Sequence, residues 1–139
     1  MNPMKISCKY LGDLHTEAIH SISGSVIYTD APKDHDGNGK DFAPTDLLAS
    51  ALGTCLITIM GIEAKRRQWE LGEINVHVYK TMTSKGPRKI KSLVVDIFMP
   101  HKLDSHRLKV LKNTAEDCPV KLNLEESIDI ELNWHKEKV

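Results

Sequence analysis

The sequence lacks an excess of charge of either sign. Its 139 residues include 19 Lys and Arg and 19 Asp and Glu, so the formal net charge at pH 7 is zero. Proteins that bind nucleic acids or anionic membrane surfaces by electrostatic attraction usually carry a basic excess. The composition therefore favours neither nucleic acid nor a membrane as a partner.

Long hydrophobic runs are also missing. The first ten residues, MNPMKISCKY, contain no apolar segment of the kind that signal peptides carry, so we expect a cytoplasmic protein. The longest uncharged stretch, residues 47–62, has only 16 residues, fewer than the roughly 20 that cross a bilayer. We interpret this stretch as a buried helix of a soluble protein.

Cysteine is scarce, and metal-binding spacings are absent. Three cysteines (Cys8, Cys55 and Cys118) are too few for a disulfide scaffold, and no two are close in sequence. The seven histidines form no pair four residues apart, the spacing that places two ligands on one helix face. The sequence therefore predicts no metal site and no bound cofactor.

One loop shows a partial calcium-binding pattern. In DHDGNGKDFAPT, residues 34–45, the side chains of Asp34, Asp36 and Asn38 occupy ligand positions of an EF-hand loop. The twelfth position is Thr45, where such a loop carries a bidentate Glu. We interpret the segment as a polar turn in which Asp, Asn and Gly adopt left-handed backbone conformations.

The remaining pattern predicts an α+β fold with antiparallel sheets, one long central helix and a second helix. Alternation predicts strands at residues 5–12, 14–21, 24–30, 74–82, 89–99 and 126–134. The central helix is predicted from an N-cap at Thr45 or Asp46 to about Gln68, and the second from Asp104 or Ser105 to Pro119. No linker divides the chain, so we expect a single domain over residues 1–139.

The central helix is apolar on every side, and this predicts an oligomer. Leu48, Leu52, Cys55, Ile59 and Ile62 recur at helical spacing. The other sides carry further apolar residues: Leu47, Leu56, Ile57 and Met60. A helix that is apolar all round must be covered all round, and one small sheet covers only one face.

Two cysteines lie in contrasting local settings. Cys55 is in the middle of the central helix among Leu and Ile, where desolvation disfavours a thiolate. Cys118 precedes Pro119, and if PVKL forms a helical turn, Cys118 caps it at an end that favours a thiolate. Spacing leaves open which thiol is reactive. Cys8 lies on the apolar face of a predicted strand and is interpreted as a packing residue.

The stretches APTDLLASALGTCLIT (residues 43–58) and AEDCPVKLNL (residues 115–124) resemble the two cysteine motifs of the osmotically inducible protein C / organic hydroperoxide resistance (OsmC/Ohr) family. The likeness extends over nearly the whole chain. It implies an intertwined homodimer with two sites at the subunit interface. It also implies that Cys55 attacks an organic hydroperoxide, that Cys118 then forms a disulfide with Cys55, and that an external dithiol reduces it.

Two positions depart from the family pattern. Active members use an Arg from the N-terminal half together with a Glu ahead of the nucleophile, but this chain has no Arg before Arg66. Asp46 is the carboxylate in the corresponding region, and Lys9 or His15 is the candidate source of positive charge. The alternative hypothesis is a non-catalytic dimer of the same fold that binds a small apolar or electrophilic ligand.

Overall fold

The structure, a computed structural model, describes residues 2–136. It confirms the predicted α+β class, with two three-stranded sheets. The chain forms two compact units, one up to Leu47 and one from Leu48 onward. That residues 1–139 form a single domain stays a prediction.

The first unit is built on an antiparallel meander. Its strands, in spatial order, are β1 (Ile6–Gly12), β2 (His15–His20) and β3 (Val26–Asp30). A tight turn joins β1 to β2, and Gly12, Asp13 and Leu14 all have positive φ angles there, of 92°, 51° and 61°. β1 is not half-buried as predicted: Ile6 is 56% and Tyr10 64% exposed, and Cys8 is exposed rather than packed.

The loop after β3 is the polar turn that its composition predicts. It contains a short 3-10 turn at Lys33–His35, and Asp36 and Gly39 adopt left-handed conformations with φ of 68° and 64°. A Cβ atom on Gly37 would lie 1.7 Å from the Ala31 carbonyl oxygen, so only glycine fits there. The loop therefore folds back tightly on its own beginning.

The second unit contains the mixed sheet, two helices and a third helix except for its first four residues, which belong to the first unit. The strands are β4 (Asn75–Met82), β5 (Ile90–Phe98) and β6 (Asp129–His135), and the helices are α1 (Pro44–Arg66), α2 (Ser105–Ala115) and α3 (Pro119–Leu124). The β4–β5 hairpin is antiparallel, but β6 runs parallel to β5, which corrects the prediction of purely antiparallel sheets. The reason is the long connection through α2 and α3, which returns the chain to the starting edge of β5.

Helix α1 begins and ends slightly earlier than predicted. It already includes Pro44, whose fixed φ suits the first helical position, and the Asp46 carboxylate accepts a hydrogen bond from the Ala43 N–H at 2.8 Å. At the other end Gln68 adopts φ 60°, and the Trp69 N–H bonds to the Ala64 carbonyl at 2.8 Å. This left-handed cap ends the helix at Arg66.

One face of α1 forms the core of the second unit, and another face is uncovered in the single chain. Leu52, Leu56 and Met60 are completely buried in a cluster that also contains the inward side chains of β5. By contrast, Leu48 is 42% and Ile62 59% exposed, although the helix was predicted to be covered on every side. The described residues therefore do not provide the all-round covering of α1 that the sequence predicts, and the oligomer stays a prediction.

Helix α1 is also long and apolar enough to span a membrane by length and composition, with 39% of its most apolar window buried. The core helices of soluble proteins meet the same two criteria. Its charged ends, Asp46 and Glu63 to Arg66, flank the 16-residue run described above.

Gly53 gives a test of how closely α1 packs on the sheet. A Cβ there would lie 2.9 Å from Val78 Cγ2, so Gly53→Ala should overpack the interface at a cost of about 1–3 kcal/mol. The higher helix propensity of Ala compared with Gly offsets about 1 kcal/mol of this cost. We expect a net loss of up to about 2 kcal/mol in the free energy of unfolding, measured by urea denaturation. In a Val78→Ala background the same change should be neutral or stabilising; an equal loss in both backgrounds would exclude this contact as the cause.

Candidate active site

Cys118 occupies the junction between α2 and α3. Its side chain caps α3, accepting a hydrogen bond from the Lys121 backbone N–H at 3.4 Å, and Pro119 is the first helical residue. The local pattern Cys-Pro-Val-Lys therefore produces the cap that the sequence suggests. The side chain is completely buried within the apolar cluster.

Helix α1 carries Cys55 to the same place. Cys55 is partly buried and packs against the cluster that contains Cys118, close enough for its side chain to raise the pKa of Cys118. The fold thus brings into contact two cysteines that lie 63 positions apart in the sequence. The difference in burial gives the two sulfurs different access to solvent.

Electrostatics keep Cys118 protonated. Burial, followed by the hydrogen bond with Cys55, raises the pKa of Cys118 to about 11, although the backbone N–H groups of Lys121 and Val120 act to lower it. Desolvation therefore outweighs the helix-end effect that sequence reasoning proposed as favouring a thiolate at Cys118. At neutral pH Cys118 is a thiol, able to donate its proton toward the Cys55 sulfur.

A buried lysine holds the segment around Cys118. The Lys121 Nζ lies 2.8 Å from carboxylate oxygens of both Glu116 and Glu125, and these two partners raise the pKa of Lys121. Its backbone N–H is the group that bonds the Cys118 sulfur. Sequence reasoning overlooked this residue, although the Lys121–Glu125 spacing of four is a recognisable helix pair.

Asp46 lies at the start of α1, in the first unit, where one carboxylate oxygen accepts the Ala43 N–H. The two thiols belong to the second unit. A catalytic role for Asp46 stays a prediction. Of the two candidate cations, Lys9 is exposed on β1, and His15 forms an ion pair with Asp30.

His15, Asp30 and Asp41 form a second cluster of titratable groups. His15 Nδ1 lies 2.6 Å from Asp30 Oδ1 and 3.9 Å from Asp41 Oδ2. Asp30 is only 3% exposed, and its hydrogen bond with His15, followed in effect by the N–H groups of Lys40 and Asp41, lowers its pKa despite burial. These residues are 15 and 11 positions apart, so no local spacing announces the cluster.

The sequence profile of the family described as OsmC-like protein matches residues 37–133. A solved structure from Psychrobacter arcticus 273-4, provisionally named an osmotic stress induced and detoxification response protein, is 36% identical. The match covers 97% of this chain and 98% of that chain, with a TM-score of 0.88.

More distant structures share the fold. The organic hydroperoxide resistance protein OsmC of Legionella pneumophila is 17% identical with a TM-score of 0.72, and the match covers 97% of this chain and 98% of that one. The organic hydroperoxide resistance protein OhrB of Bacillus subtilis is 17% identical with a TM-score of 0.70, covering 96% and 98%. No protein with a curated function matches this chain.

The raised pKa of Cys118 predicts that this thiol reacts much more slowly than an exposed cysteine. With a pKa of about 11, roughly 0.1% of Cys118 is thiolate at pH 8, against about a quarter for an ordinary thiol. In reduced native protein treated with iodoacetamide, we expect Cys118 to be alkylated at least 100-fold more slowly than exposed Cys8. The rate at Cys118 should rise about tenfold per pH unit from pH 8 to 10.

Peptide mapping by mass spectrometry measures each site separately. Urea-unfolded protein is the matched control, since all three cysteines should then react at similar rates. Equal labelling of Cys8 and Cys118 in the native protein would contradict the electrostatic assignment.

Proposed function

This chain belongs to the OsmC-like protein family, and on that basis we propose that it is a thiol-dependent peroxidase that reduces organic hydroperoxides to alcohols. The observation that carries the proposal is that Cys55 packs against the buried cluster containing Cys118, so that the two side chains interact. Two thiols in contact, one partly accessible and one buried, suit a cycle in which one is oxidised and the other resolves the product.

In the first step the Cys55 thiolate attacks the distal oxygen of the hydroperoxide. The O–O bond breaks, Cys55 becomes a sulfenic acid, and the alkoxide takes up a proton and leaves as the alcohol. In the second step the Cys118 sulfur attacks the Cys55 sulfur. A disulfide forms, and the hydroxyl group leaves as water with the proton that Cys118 gives up.

The environments of the two thiols support this division of roles. Cys55 is the more accessible thiol, whereas Cys118 is completely buried and its pKa is raised to about 11. Two of the effects that raise the pKa of Cys118 come from Cys55 itself.

The surroundings favour an organic substrate. Both thiols belong to a cluster whose other members are apolar, including Leu52, Leu56 and Ile59. Such a surface favours hydroperoxides with hydrocarbon substituents over hydrogen peroxide. An external dithiol would reduce the disulfide and restore both thiols, so the cycle requires no bound cofactor. The cytoplasm, which keeps thiols reduced, is the compartment that suits it.

The uncovered apolar surfaces favour a homodimer. Leu48, Cys55 and Ile62 recur every seven residues along α1, and the outer two are exposed. In the first unit, the exposed large apolar side chains include Ile6, Tyr10, Ile22, Val26, Ile27 and Tyr28. A second copy of the chain that covers these surfaces would place Cys55 at a subunit interface. Asp46 is proposed as the carboxylate that orients a cation beside the Cys55 thiolate.

Stoichiometric oxidation tests the catalytic proposal. Reduced protein mixed with one equivalent of cumene hydroperoxide should lose two thiols, produce one equivalent of cumyl alcohol, and yield a Cys55–Cys118 disulfide by mass spectrometry. Cys118→Ser should stop at a Cys55 sulfenic acid, trapped by dimedone. Cys55→Ser should lose at least 100-fold in the rate of peroxide consumption.

Cys8→Ser is the matched control and should behave as the unchanged protein. Thiols that remain reduced in the unchanged protein would reject the peroxidase proposal. That result would favour instead the non-catalytic dimer that binds a small apolar or electrophilic ligand.

The homodimer has its own test. Ile62→Asp places a charge on the exposed apolar stripe of α1, so we expect the dimer to dissociate at micromolar concentration, measured by light scattering after size-exclusion chromatography. Lys109→Asp, an exposed substitution on α2, is the control and should leave the mass unchanged. A monomeric unchanged protein would refute the assembly.

A further inference from the structure

The cluster of His15, Asp30 and Asp41 has the donor set and spacing of a metal site. One imidazole nitrogen and two carboxylate oxygens lie within 4.8 Å of one another. β2 supplies His15 at its first residue, β3 supplies Asp30 at its last, and the returning loop supplies Asp41. The cluster is formed entirely within the first unit.

The charge of the cluster is not balanced by a permanent cation. Among the described residues, the only ion-pair partner of Asp30 is His15, and no Lys or Arg lies within salt-bridge distance of either carboxylate. The buried Glu63, in contrast, pairs with both Arg66 and Arg67. With a neutral imidazole, the cluster therefore carries two negative charges and one of them is buried, a situation that favours a bound cation.

The three side chains are also held in place by further contacts. The ring of Tyr28 stacks on His15 with centroids 5.6 Å apart and planes inclined by 7°. The N–H groups of Lys40 and Asp41 bond the other oxygen of Asp30 at 3.0 and 3.2 Å. Hydrogen-bonded ligands of this kind are typical of metal centres, because they fix the orientation of the coordinating atom.

We propose that His15, Asp30 and Asp41 bind a divalent first-row transition-metal ion, with Zn²⁺ as the preferred occupant. The ion replaces the proton between His15 Nδ1 and Asp30 Oδ1. Metal–ligand bonds of about 2.0–2.2 Å need these atoms somewhat more than 3 Å apart, so a shift of less than 1 Å is sufficient. The imidazole ligand favours Zn²⁺ over Ca²⁺ and Mg²⁺, which prefer oxygen ligands.

Calorimetric titration with ZnCl₂ tests the site. The sample is the untagged, reduced protein in whichever oligomeric state it is purified. We expect one ion per chain, an affinity at least tenfold weaker in His15→Gln and Asp41→Asn, and a thermal stabilisation by Zn²⁺ that both variants lose. Asp41 has an exposed side chain, so Asp41→Asn remains informative even where a change at His15 perturbs folding. Circular dichroism confirms that each variant is folded.

Two controls separate this site from other zinc ligands. His20→Gln alters the other histidine of β2, whose Nδ1 hydrogen-bonds Ser23, and this variant should bind Zn²⁺ as the unchanged protein does. Cys118→Ser should also retain binding. Binding that survives both His15→Gln and Asp41→Asn, binding that Cys118→Ser abolishes, or no binding to the unchanged protein would each overturn the proposal.

Discussion

The burial of one sulfur atom is the constraint on which the proposed thiol chemistry depends. Cys118 lies at the start of a six-residue helix, completely enclosed, and its Sγ accepts the Lys121 N–H and contacts Cys55. Burial holds the pKa of Cys118 high, so it keeps its proton while its neighbour is the more accessible thiol. The proposed order of oxidation depends on this asymmetry. Two equally exposed thiols would offer no physical basis for assigning the attacking and resolving roles.

The contact depends in turn on how α1 is positioned. The absence of a side chain at Gly53 allows the helix to approach Val78 and Val76 on β4, and the buried face of α1 continues through Leu52, Leu56 and Met60. At the other side of the contact, the Lys121 ammonium joins Glu116 and Glu125 across the segment that carries Cys118. The thiol pair is thus held between a packed helix and an ion-paired turn. Both supports come from ordinary packing and pairing, and neither contains a reacting atom.

The first unit presents a different physical problem, because much of its apolar surface has no cover in the single chain. A sheet exposing Ile6, Tyr10 and Ile27 is unfavourable in water as an isolated unit. A second copy of the chain is the covering surface that we propose, and the all-round apolar character of α1 supports the same assembly. The same unit contains a buried carboxylate, Asp30, whose side-chain partner is the imidazole of His15. The proposed assembly and the proposed cation binding therefore involve different parts of the first unit: its exposed apolar side chains and its buried carboxylate.

Local sequence signals determined much of this structure. The alternation of strands, the helical repeat of residues 47–62, the turn at Gly12 and the cap formed by Cys118 and Pro119 depend on near neighbours, so they can be predicted without a fold. The motifs around Cys55 and Cys118 also identified the family. Other features depend on which elements meet in the fold. The sequence pattern therefore gave the wrong direction for β6 and the wrong burial for Cys8, and it did not show which side of α1 is uncovered.

Tertiary structure alone decided the relationships between distant residues. Cys55 and Cys118 meet although two strands and a helix separate them in the sequence. His15, Asp30 and Asp41 likewise come together from two strands and a loop. The effect of burial on the pKa of Cys118 also depends on residues from several elements. Chain composition determines which groups are available for chemistry. Desolvation and Coulomb interactions act over a few ångströms in space, so only the folded chain determines which of those groups act on one another.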